Sequence, residues 1–138
     1  DKMISEIKNN KKDEFFIGIT KFKKKNQKNV FKAVIDNKNY LLYCSREDIP
    51  SSNIIKNEER LKVVFTVGFR RKSLKKFVKL KISKNETREP NEFLRILDNG
   101  LKIKTVKFKQ AHISLDTKSD LKKIRQLMKK DRILNLYR

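Results

Sequence analysis

A chain of 138 residues with 37 lysines and arginines against 16 acids carries a formal net charge of +21, and 37% of it is apolar; that suits one domain, residues 1–138, with a real core. No run approaches the ~20 apolar residues of a membrane span, and no basic start leads into an apolar signal segment. The single cysteine, Cys44, excludes an internal disulfide and fits a reducing cytoplasm.

Met3, Ile4 and Ile7 keep helical spacing until the pair Asn9–Asn10 ends the pattern. "EFFIGIT" (Glu14 to Thr20) reads as a strand buried on both faces. The basic run "KFKKKNQKNVFK" (Lys21 to Lys32) reads as a solvated loop. In "NVFKAVIDNKNYLLYCS" two β-rich runs flank "DNKN", whose Asp and Asn residues tolerate positive φ, so a hairpin is expected. "REDIPSSNIIKNEER" reads as a long loop, and "LKVVFTVGF" (Leu61 to Phe69) as a further core strand.

"RKSLKKFVKL" places Leu74, Phe77 and Val78 on one helical stripe. A second helix is expected over "EPNEFLRILDNG", with Pro90 in its first turn and Gly100 past its end. "LKIKTVKF" alternates apolar residues with lysines, predicting a strand with one wet face. In "ISLDTKSDLKKIRQLM" a strand-like run ends on Asp116, and a helix follows with Thr117 as cap and Asp120 three residues on. Leu121, Ile124, Leu127 and Met128 form its expected buried stripe. Strands alternating with helices, plus one inserted hairpin, give the class α/β.

The chemistry is reached by elimination. His112 and Cys44 are not brought together by any sequence feature, no Cys/His metal cluster exists, and three glycines build no phosphate loop. The charge excess is mostly lysine, 28 against nine arginines beside twelve asparagines, as codon drift in an A+T-rich genome produces at solvated positions. Without exposed aromatics among the basic runs, a nucleic-acid partner is not expected. What remains is Asp116 and the acids Glu86, Glu89 and Glu92, each three apart. The acids suit a helix N-terminus, where the dipole favours negative charge. Asp116 has two open readings. It caps the helix, or it holds a metal at the carboxyl edge of the sheet, where open α/β folds bind ligands.

Four motifs stand in a telling order: "YCSREDIP" (Tyr43 to Pro50), "VGFRR" (Val67 to Arg71), "EFLRILDNGLKI" (Glu92 to Ile103) and "LDTKSDL" (Leu115 to Leu121). Together they resemble the C-terminal half of the CMP-KDO synthetases, the 3-deoxy-manno-octulosonate cytidylyltransferases, over about Asp1 to Lys130. The resemblance implies the C-terminal half of a Rossmann-like nucleotidyltransferase mixed sheet with an inserted β-hairpin. It implies transfer of CMP from CTP to a sugar acid, with release of pyrophosphate, for lipopolysaccharide synthesis. Asp116 would be one of two aspartates holding catalytic Mg²⁺, Arg46 would lie in or beside the sugar-acid pocket, and Glu92 would be the sugar-contacting acid.

Family members resembling this chain are cytoplasmic homodimers, with the hairpin region contributing to the interface. The departures are apolar: Val67 and Phe93 stand where the family has tyrosine and glutamine, and Val63 where it has histidine. Ser114 replaces a glycine and Lys118 a proline. The family's N-terminal CTP-binding half has no counterpart here, and the first residue is Asp1. A segment of a longer enzyme, inactive alone, is therefore expected. Two alternatives are a diverged, non-catalytic interaction module and a basic nucleic-acid-binding module.

Overall fold

Phe15–Phe22 forms β1, the most buried strand of the molecule, and all but one of its eight residues are buried. The computed structural model describes residues 2–22, 29–51, 60–109, 115, 117–131 and 133–136. β1 belongs to a five-stranded mixed sheet in the order β3-β2-β4-β1-β5, with β2 at Lys32–Ile35, β3 at Leu41–Ser45, β4 at Arg60–Phe69 and β5 at Ile103–Phe108. Only β1 and β5 are parallel; β1–β4, β4–β2 and β2–β3 pair antiparallel.

β1 is buried on both faces because different elements cover each. On one side, helix α1 (Lys2–Asn9) lays Met3 and Ile7 over Phe16 and Val106. On the other, Phe15, Ile17 and Ile19 join Phe31, Ala33, Leu41 and Cys44 of the hairpin region and Phe93, Leu94 and Ile96 of a later helix. Gly68 permits the first contact: a Cβ there would stand 2.5 Å from Ile7 Cδ1.

The expected hairpin forms. Asp36 Oδ1 accepts the N–H groups of Lys38 (2.9 Å) and Tyr40 (2.7 Å), and Asn39 takes the positive φ, 60°. The turn reaches β5, where Thr105 N donates to Asn39 O at 2.9 Å.

Several local expectations are corrected. β4 is a strand, but only Val63 and Gly68 of it are buried. β1 pairs Ile17 with Val67 and Gly18 with Val64, so Phe65 and Thr66 bulge out unpaired, and Phe65 is 60% exposed. Helix α2 (Arg71–Lys79) sets down Ser73 and Phe77, leaving Leu74 and Val78 outside. A short helix, α3 (Lys84–Arg88), was not anticipated; Ser83 and Glu86 form its capping box. Pro90 therefore lies between helices rather than in a first turn, and α4 spans Phe93–Asp98, with Gly100 following at φ 70°.

β5 is covered on both faces as far as Val106, because α1 packs there. Helix α5 (Lys118–Met128) has the expected Thr117–Asp120 capping box, but none of its stripe is buried. Leu121 and Ile124 are half-buried, while Leu127 and Met128 are exposed. A stripe specifies a face that needs cover; it does not guarantee that the same stretch of chain supplies it. A 3₁₀ turn, Leu134–Leu136, follows.

Candidate functional site

The last residue of β3 and the one after it open the site. Ser45, 3% exposed, donates its hydroxyl to Glu89 Oε2 at 2.5 Å and accepts the Glu47 N–H at 2.9 Å. Glu89 closes α3 at its C-terminal cap, so the α3–α4 connection brings its carboxylate back to the end of β3. Its second oxygen, Oε1, faces Arg46, whose backbone N and Nη1 both lie 3.4 Å away.

Arg46 is held on other sides as well. Its guanidinium lies over the Phe31 ring, 4.0 Å from the centroid. Its carbonyl accepts a hydrogen bond from Lys32 Nζ, and Lys32 is 2% exposed. The arginine side chain nevertheless remains 43% exposed, against 16% for Glu89. A planar cation with an ordered backbone and an open face is suited to take a carboxylate.

Beside it an aromatic ledge continues. Phe65, aimed outward by the bulge, meets Phe31 edge-on at 5.8 Å and stacks on Phe93 at 6.3 Å and 28°. Asn91 supports the ledge from below: its Oδ1 accepts the Phe93 N–H at 3.0 Å, and its Nδ2 donates to Cys44 Sγ at 3.0 Å. Cys44 is fully buried and packed in the core, and that burial pushes its thiol up to about 12. Burial, and then the charge of Glu89, raise the Tyr43 hydroxyl.

The sequence-derived candidates divide here. Arg46 follows the last residue of β3 with its side chain 43% exposed. Glu92 is exposed at the start of α4, without a side-chain capping bond, and the acid that meets Arg46 is Glu89. The three acids do not share one helical face: Glu86 lies inside α3, Glu89 ends it and Glu92 precedes α4. Spacing alone could not choose among them, because the intervening break in the helix at Pro90 is what turns Glu89 toward β3. Phe31, Ser45 and Phe65 were missed outright; only the bulge, a register property, exposes Phe65.

Asp116 lies outside the described residues, as do His112, Ser114, residues 23–28 of the basic run and residues 52–59 of the long loop. Among the described residues no group of three or more His, Cys, Asp or Glu side chains could hold a metal ion. Nor does any described helix have the length and apolarity to cross a membrane.

No family model matches the chain. It is 40% identical over 124 residues to the 3-deoxy-manno-octulosonate cytidylyltransferase of Rickettsia conorii, covering 88% of this chain and 48% of that protein. The protein of the same name from Rickettsia massiliae is 42% identical over 91 residues, 66% of this chain and 35% of its own. In fold, the chain superimposes on a CMP:2-keto-3-deoxy-manno-octonic acid synthetase complexed with CTP. The TM-score is 0.84 at 24% identity, over 92% of this chain and 54% of that one. The chain is homologous to the two Rickettsia proteins, and it spans about half the length of the Rickettsia conorii relative.

Proposed function

We propose that residues 1–138 are the C-terminal, sugar-acid-binding part of a cytidylyltransferase. The complete enzyme would join 3-deoxy-manno-octulosonate to CMP from CTP, releasing pyrophosphate, for lipopolysaccharide synthesis. The observation that carries this reading is the 40% identity sustained over 124 residues. The open guanidinium of Arg46 at the end of β3 agrees with it.

In this reading Arg46 takes the carboxylate of the sugar acid and so fixes which hydroxyl faces the nucleotide. That hydroxyl oxygen forms a bond to the α-phosphorus of CTP, the bond to pyrophosphate breaks, and the hydroxyl proton passes to solvent. The contribution of Arg46 is orientation, which converts an encounter of two substrates into a reaction between neighbours. Glu92, exposed beside the Phe93 ledge, is the proposed hydrogen-bonding partner for the sugar.

The described residues do not build a metal site by themselves. Asp116 is proposed as one ligand of Mg²⁺, an ion that favours one or two carboxylates together with phosphate oxygens and water. When bound, such an ion would draw charge from the α-phosphate. A cytoplasmic homodimer formed through the hairpin region belongs to the same proposal.

The test supplies the matching N-terminal half of the Rickettsia conorii protein in trans and measures pyrophosphate release. Release should require both halves, CTP and the sugar acid, and Asp116→Ala should abolish it. A second reading, the non-catalytic interaction module, has its own support. Phe93, at a position that the resemblance gives to a polar sugar contact, is 2% exposed and part of the core. Stable association of the two halves without pyrophosphate release would favour that reading and overturn the first.

A further inference from the structure

We propose that Glu89 is the positioning residue for Arg46, anchored by Ser45 and holding the guanidinium ready for a ligand carboxylate; the identity of that ligand rests on the function proposed above, whereas the positioning does not.

The two oxygens of Glu89 have different tasks. Oε2 is committed to the buried Ser45 hydroxyl at 2.5 Å, a short charge-assisted bond. That bond, and the position of Glu89 at the end of α3, fix where Oε1 stands. Oε1 meets Arg46 twice, through the backbone N–H and Nη1, but at 3.4 Å each time. Contacts of that length on a half-exposed side chain restrain direction more than they consume binding capacity. Among the described residues, Nε and Nη2 of Arg46 donate to no protein acceptor.

The local charge also suits an incoming anion. The Lys32 Nζ bond to Arg46 O fixes the backbone from which the arginine side chain projects, and the guanidinium keeps its charge at a half-exposed position beside Glu89. With the Phe31 ring under the guanidinium plane and Glu89 at one Nη, the free edge of Arg46 can point in few directions. This is how a binding group avoids the entropic cost of being ordered by its ligand.

The experiment uses Glu89→Ala, Glu89→Gln and Ser45→Ala. The first measurement is the rotation rate of the Arg46 guanidinium by NMR of the labelled, unliganded chain. Rotation should be slow in the parent, faster in Glu89→Ala, and slow again in Glu89→Gln, whose amide can still accept from Arg46. The second measurement is turnover with the N-terminal half supplied. Glu89→Ala should raise KM for the sugar acid about tenfold, because the ligand must then order the Arg46 side chain itself. Its KM for CTP and its kcat should stay near the parent's, and Glu89→Gln should recover most of the loss.

Unchanged guanidinium rotation in Glu89→Ala overturns the proposal. Should that variant fail to fold, Ser45→Ala carries the same measurement, because it releases the anchoring oxygen. Equal rises in both KM values would also overturn it, marking Glu89 as merely structural. Rotation that responds as expected in a chain that never turns over CTP upholds the positioning role and defeats the function assigned to the whole.

Discussion

Glu86 accepts two hydrogen bonds from the Arg95 guanidinium, at 2.7 and 2.5 Å, while its carboxylate also closes the capping box with Ser83. The Arg95 bonds, more than the partial burial that opposes them, hold this carboxyl below the usual glutamate range. Asp98 is lowered as well, through hydrogen bonds from Ser83 and Asn85. Both groups favour the charged form in the folded state, so their stabilisation is complete above the ordinary carboxylate values of about 4. It is lost as pH falls through the depressed folded-state values. Glu86→Gln is expected to cost about 1–2 kcal/mol at pH 7 by urea denaturation, since a bidentate ionic pair becomes a neutral one. The cost should shrink on titration toward pH 3. A difference that stays constant across that range would mean the residue acts through packing rather than charge.

At the scale of elements, the contact between α1 and the sheet depends on the absence of a side chain. Gly68→Ala would place its methyl 2.5 Å from Ile7 Cδ1 and 3.3 Å from Phe16 Cβ. Ile7 can turn away, so the expected cost is about 1–2 kcal/mol of overpacking rather than unfolding. Ile7→Val, which deletes the obstructing methyl, should recover part of it in the double variant. Additive losses in that cycle would show that the two positions do not meet.

Such elements differ in how far sequence could reveal them. β1 was legible because its apolar run has no polar face, and the hairpin because Asp36 and Asn39 are turn formers. The capping box of α3 was written as Ser83-Lys84-Asn85-Glu86 and still went unread, since no apolar stripe accompanies it. Leu74 and Val78 misled for the opposite reason: a stripe is present, but of it only Phe77 packs on the core, with Ser73 beside it, while Leu74 and Val78 stay exposed. Of the candidate site, Arg46 is named by its motif. Its partner Glu89 was not singled out, because the choice among three equally spaced acids is made by a chain break that only tertiary structure displays.

For the molecule as a whole, the net charge of +21 sets the dominant electrostatic term. Among the described residues the ion pairs are Arg46–Glu89, Arg60–Asp48, Lys76–Glu14 and Arg95–Glu86, and basic residues exceed acidic ones by 21 over the whole sequence. Like charges at that density destabilise a compact state, and salt relieves them once the screening length falls below their separation. Raising NaCl from about 0.05 to about 0.5 M shortens that length roughly threefold, so the urea midpoint should move upward. Urea is the suitable denaturant because it adds no ions of its own. The same titration separates repulsion from nucleic-acid binding. If the lysines serve only solvation, binding to duplex DNA should be weak, and should not survive at physiological salt. A site that neutralised phosphates would instead lose affinity along a steep line in log salt while remaining measurable there. A falling urea midpoint would show that attraction within ion pairs outweighs repulsion among the lysines.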